Sequence, residues 1–143
     1  MTLLAEACGR FGDAARAPEL YELLAPYARR NVVIGRAASC NGSASRPPGV
    51  LAAVMGEWAW AERHLADALA MHVAMGARPF VARTQLAWGE MELARGAMER
   101  AGELLADAIV TADALGMVVV AQHARGLISA GAAGAPANVN GGH

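Results

Sequence analysis

Gly56-Glu57-Trp58-Ala59-Trp60-Ala61-Glu62-Arg63-His64-Leu65-Ala66-Asp67-Ala68 returns forty residues later as Gly96-Ala97-Met98-Glu99-Arg100-Ala101-Gly102-Glu103-Leu104-Leu105-Ala106-Asp107-Ala108. Extending the overlay to Gly76 and Gly116 gives eight identities in twenty-one positions, among them Leu65-Ala66-Asp67-Ala68 over Leu105-Ala106-Asp107-Ala108. Within each copy the apolar residues recur at intervals of three and four: Trp58, Ala61, Leu65, Ala68, His72 and Met75 in one, Met98, Ala101, Leu105, Ala108, Ala112 and Leu115 in the other. That spacing belongs to an amphipathic helix, and a fixed period of this size belongs to a helical repeat array.

Glycine punctuates the pattern. Gly56, Gly76, Gly96 and Gly116 stand twenty residues apart, each closing a helical stretch, where glycine accepts the left-handed conformation of a helix C-terminus. A weaker copy precedes them in Gly12-Asp13-Ala14-Ala15-Arg16-Ala17, with Tyr21 in the place of Leu65. The spacing predicts helices over residues 2–9, 13–28, 33–45, 49–55, 57–75, 78–95, 97–115 and 117–130. Ser45-Arg46-Pro47-Pro48-Gly49 interrupts the central pair, and its prolines predict a kink or short loop. Residues 1–130 read as one helical repeat domain. Residues 131–143, without an apolar period, read as a disordered tail.

Composition agrees with helix. Hydrophobic residues make up 55% of the 143, yet aromatics only 5%, so the core must be aliphatic and rich in alanine. Net charge is −1; all twelve basic residues are arginine, and no basic stripe marks a nucleic-acid surface. The N-terminus lacks the pattern of a signal peptide and no apolar run reaches a membrane span, so a cytoplasmic protein is expected. Cys8 and Cys40 form no CxxC pair and are expected as reduced, buried thiols; Asn41-Gly42-Ser43 matches a glycosylation sequon by chance.

The array Gly56-x-Trp58-x-x-Ala61-x-x-x-Leu65-x-x-Ala68 resembles the tetratricopeptide (TPR) signature, although its period of forty exceeds the family's usual ~34. Leu20-Tyr21-Glu22-Leu23-Leu24-Ala25-Pro26-Tyr27, with Asn31-Val32-Val33, is similar to the C-terminal helical repeat region of large actinobacterial regulators. Gly76-Ala77-Arg78-Pro79-Phe80-x-Ala82-Arg83-Thr84-Gln85 carries the same resemblance. In those proteins an AAA-type ATPase precedes the repeats, often beside a nucleotide cyclase or a LuxR-type DNA-binding domain. The resemblance implies an all-α, TPR-like right-handed superhelix of about three antiparallel helix pairs plus a C-terminal helix, acting as the arm, or a detached fragment, of a transcriptional regulator. It does not imply ATPase activity here, because a phosphate-binding loop needs a lysine and the chain has none.

No residue pattern points to catalysis. His72 lies on an apolar stripe, where it reads as a neutral core-edge histidine with one hydrogen bond or as a pH-sensitive group. His64 and His123 have no metal-ligand spacing. Glu57, Glu62, Asp67, Glu90 and Glu92 read as solvated helix faces, and no GxSxG or HExxH motif occurs. The expected function is therefore a non-catalytic interaction or scaffold module for a protein or peptide partner, without cofactor, metal, direct nucleic-acid or membrane contact. Trp60 packs on an adjacent repeat or joins an exposed contact patch, and Arg36, Arg78 and Arg83 are the candidate groove-lining partners. The alternative is a small-molecule-sensing domain, with a cavity near Met55, Trp60 or Met71 opened by the Pro47-Pro48 break. An apolar end left exposed by a short array predicts self-association.

Overall fold

The computed structural model describes the backbone of residues 2–34 and 39–134, and the side chains of residues 3–30 and 42–134. Helix α1 spans Thr2–Phe11 and α2 spans Ala17–Leu24, with a 3-10 turn at Ala25–Tyr27. Strands β1 (Asn31–Ile34) and β2 (Ser39–Ser43) follow, then α3 (Arg46–Val54), α4 (Trp58–Ala74), α5 (Arg78–Ala94), α6 (Met98–Ala114) and α7 (Val118–Gly134). The regular structure among the described residues is thus helical apart from one hairpin. Among the described residues, no helix is long and apolar enough to cross a membrane.

The last four helices are built to one plan. Each has seventeen residues and is separated from the next by three, which generates the twenty-residue spacing. Gly56, Gly76, Gly96 and Gly116 all take positive φ, between 64° and 88°. In each case the glycine N–H donates to the carbonyl three residues back, and the next N–H reaches the carbonyl five back: Glu57 to Ala52, Ala77 to His72, Ala97 to Glu92 and Met117 to Ala112, at 2.8–2.9 Å. This is the Schellman arrangement, and it satisfies carbonyls that the helix end leaves unpaired. Residues 57, 77 and 97 then share one conformation, near φ −84° and ψ 65–71°, and start the next helix without a side-chain cap. A turn this short sends the chain back beside itself. Each helix accordingly packs on its successor, and α1 with α3, α3 with α5 and α5 with α7 also touch.

Alanine and glycine set how closely these helices approach. A Cβ added to Gly49 would lie 2.8 Å from Leu65 Cγ, and one added to Gly89 would lie 2.7 Å from Leu105 Cγ. The two contacts are forty residues apart and equivalent. Leu65 and Leu105 are both fully buried, and each fills a hole that any side chain would close. One cluster joins Ala52, Ala61, Leu65, Trp88, Met91 and Leu104; a second joins Ala5, Cys8, Ala17, Leu24 and Leu51 around the first helices.

The structure corrects the expected helix over residues 33–45. β1 and β2 pair antiparallel there, Asn31 opposite Ser43, Val33 opposite Cys40 and Ile34 opposite Ser39. The run Val32-Val33-Ile34 is β-branched and prefers an extended backbone, and left-handed Arg29 turns the chain before it. Pro47 and Pro48 make no loop. They occupy the first turn of α3, where a missing N–H leaves no helical bond unmade. The expected helix over 13–28 contracts to α2 and the 3-10 turn, while α7 continues to Gly134, past the boundary set at residue 130.

Candidate interaction surface

The adjacency of α1, α3, α5 and α7 gathers charged side chains that lie far apart in sequence. Glu6 on α1 pairs with Arg46 on α3, whose side chain is only 13% exposed. Burial lowers the Arg46 pKa, opposed by Glu6 and Glu90 and reinforced by Arg83. Glu90 on α5 meets His123 on α7 at 3.0 Å, with side chains 43% and 54% exposed. Although accessible, Glu90 has its pKa raised by desolvation, against the opposing charges of His123, Arg46 and Arg10. Glu6, Arg10, Arg46, Arg83, Glu90 and His123 thus form a charged cluster shared by four helices.

Of the three described residues singled out in sequence, the structure brings Arg83 alone to this cluster. Arg83 is exposed on α5, its guanidinium 6.0 Å from the Phe80 ring centre. Arg78 is exposed at the first position of α5. Trp60, 49% exposed, lies near the start of α4, stacked on Tyr21 of α2 with ring centres 5.5 Å apart and planes 11° from parallel. Because α4 and α5 run antiparallel, Trp60 and Arg78 sit at opposite ends of the pair, roughly 20 Å apart along the axis at ~1.5 Å per residue. They form no common patch. Arg36 lies outside the described residues. Glu90, His123, Arg46 and Arg10 were missed because their proximity arises from contacts between alternate helices, which no local pattern reports.

The histidines resolve into structural roles. His72 is fully buried with two hydrogen bonds, one more than expected. Ser43 N–H donates to its Nε2 at 2.7 Å, and Thr84 Oγ1, itself donating to the Phe80 carbonyl at 2.8 Å, lies 3.0 Å from its Nδ1. The Thr84 hydroxyl proton is committed to Phe80, so Nδ1 carries the hydrogen and Nε2 accepts: a neutral imidazole of one tautomer. Desolvation, then the nearby Arg46, lowers its pKa. Gly42 makes this contact possible, since its φ is 81° and an added Cβ would lie 2.7 Å from Nε2. His64 Nε2 lies 2.9 Å from the Tyr21 hydroxyl, and burial lowers its pKa, with Arg63 acting in the same sense and Asp67 opposing.

Glu92 departs from the solvated-face expectation: it is fully buried. It occupies the same place before its glycine turn as Ala52, His72 and Ala112, all of them inaccessible. Trp88 Nε1 donates to it at 3.0 Å, Arg95 grips both its oxygens, and Arg100 approaches from α6 at 3.6 Å while covering the Trp88 ring. Both oxygens are engaged, bracing the end of α5 against the start of α6. Cys8 is buried and donates to the Asp13 carbonyl, its pKa raised by desolvation and by Asp13; the side chain of Cys40 lies outside the described residues. Among the described residues, no three His, Cys, Asp or Glu side chains gather at metal-binding distance.

The cavity imagined at the Pro47-Pro48 break is not open at its centre. Leu65 and His64 press against the Gly49 backbone, and Pro47 and Pro48 are buried. Recesses lie at the start of α6 and between α5, α6 and α7. In comparisons with known proteins, no family model, no curated protein and no solved structure matched the chain.

Proposed function

We propose that this chain is a non-catalytic protein-interaction scaffold, a TPR-like array whose charged cluster on α1, α3, α5 and α7 holds an extended peptide or a helix of its partner. In this reading the repeats stack into a superhelix and serve as the arm, or a fragment of the arm, of a larger bacterial regulator. The observation that carries it is the charged cluster itself. Four helices contribute charges of both signs to it, and repeated glycine turns lock the backbone so that little is left to reorganise on binding. Arginines in such a cluster favour carboxylate-bearing peptides, which they bind bidentately. Leu65 fills the space at Gly49, beside the Pro47-Pro48 break where the small-molecule-sensing alternative places its cavity.

The test is a displayed peptide library selected on the wild-type chain and on an Arg10→Glu/Arg83→Glu variant, with folding of both checked by circular dichroism. Selected peptides are expected to be acidic and to bind the variant at least tenfold more weakly, about 1.4 kcal/mol. Failure to enrich any peptide, or equal binding by both proteins, overturns the proposal.

A further inference from the structure

A groove of about 240 Å³, almost wholly apolar, opens between α5, α6 and α7, lined by Leu93, Met98, Leu105, Leu127, Ile128 and Gly131. The repeat tells what it is. Shifted back by forty residues, these positions become Ala53, Trp58, Leu65, Ala87, Trp88 and Met91, which all belong to the main core cluster. There the site is closed by α6, whose Leu104 joins the cluster and whose Arg100 lies over Trp88. In the last unit Trp88 and Met91 are replaced by Ile128 and Gly131, and Glu62 and Glu92 by Gly102 and Ala132. Ile128 is 38% exposed where Trp88 is 6%. The groove is thus a helix seat emptied of its bulky side chains and of its charges. An occupant must be a helix, must be apolar, and must bring the large side chain that the seat lacks.

The described chain carries such a helix at its other end. On α1, Leu4 and Phe11 are one heptad apart on a single face beside Leu3, exposed by 58%, 85% and 68%. Phe11 is the most exposed large apolar residue described. We propose that the protein associates head to tail, the Leu3/Leu4/Phe11 stripe of one copy seating in the α5–α7 groove of the next. The two surfaces are different, so the contact is heterologous and does not close upon pairing. It uses neither Arg83 nor Glu90, and stands whether or not the charged cluster binds a peptide.

Sedimentation velocity with light scattering over a wide concentration range tests this on three proteins and on a mixture of two of them. The wild type is expected to gain mass with concentration past that of a dimer. Phe11→Glu loses the ridge, and Gly131→Met refills the groove as Met91 does one unit earlier; each is expected to stay monomeric. Mixed together, they are expected to form a one-to-one dimer, because the first keeps its groove and the second its ridge. Leu4→Glu and Ala132→Glu, at exposed positions, replace either variant if circular dichroism shows it unfolded. A wild type that stays monomeric overturns the proposal. So does association that persists in Phe11→Glu (another occupant) or in Gly131→Met (pairing through α1 alone).

Discussion

Replacing Gly89 by alanine is expected to destabilise the protein, against the ordinary effect of that change in a helix. In an open helical position glycine to alanine gains up to about 1 kcal/mol, because alanine loses less backbone freedom on folding. At Gly89 the new Cβ would stand 2.7 Å from both Cγ and Cδ2 of Leu105 and 3.6 Å from the Ala101 carbonyl. Ordinary carbon–carbon contact needs ~3.5–4.0 Å, so Leu105 must retreat by about 1 Å. Leu105 is fully buried, and a retreat toward the α5–α7 groove that it lines forfeits its packing against Gly89. Overpacking of this kind costs about 1–3 kcal/mol, which exceeds the helical gain and leaves a net loss of about 1 kcal/mol. Gly126 supplies the control, since nothing lies within 4 Å of an added Cβ on α7 and the same substitution there is expected to stabilise by about 0.5–1 kcal/mol. Urea unfolding followed by circular dichroism reads both, and the variants should fall on opposite sides of the wild type. In a Leu105→Ala background Gly89→Ala should no longer destabilise. If Gly89→Ala stabilises as much as Gly126→Ala, the proposed fit between α5 and α6 is wrong.

Gly76→Ala, with φ of 64° and open space around it, tests the turn rather than the packing; left-handed strain should cost about 1–2 kcal/mol in the same unfolding assay. Glu92→Gln should cost about 2–3 kcal/mol, since Arg95 loses its ionic partner next to a buried Trp88 N–H, and the tryptophan fluorescence should shift with it. His72 and His64 both have folded pKa values below the unfolded 6.5, so the unfolded chain takes up protons first as pH falls. Their effect is nil well above pH 6.5 and destabilising as pH drops through that value, levelling off below the folded pKa. Glu90, with its pKa raised, acts in the opposite sense above 4.5, stabilising as pH falls. The urea midpoint is expected to fall from pH 7 to pH 5.5, with a shallower slope in His72→Gln; an equal slope would remove His72 from the cause.

Much of the helical architecture was legible because its determinants are local. A glycine every twenty residues specifies the turn, and the three-four spacing around Ala61 and Ala101 specifies the buried stripe. Gly49 and Gly89 carried the packing just as plainly, but their partners Leu65 and Leu105 are sixteen residues away on the next helix, beyond any periodicity. The hairpin was hidden for another reason. Val32-Val33-Ile34 prefers strand only weakly, and its anchor, Ser43 on His72, spans twenty-nine residues. The charged cluster was illegible for the same cause: Arg46 and Glu90 acquire meaning only once α3 lies beside α5. Glu92 misled because acidic residues normally face water, and only its place in the repeat marks it as internal.

The equivalence of units forty residues apart is open to direct observation by NMR on a sample with methyl-labelled leucines. Nuclear Overhauser contacts are expected from the Leu65 methyls to the Gly49 Hα and, identically, from the Leu105 methyls to the Gly89 Hα. Observation of one contact without the other would mean that the two helix pairs pack differently, and the repeat would be a pattern of sequence rather than of structure.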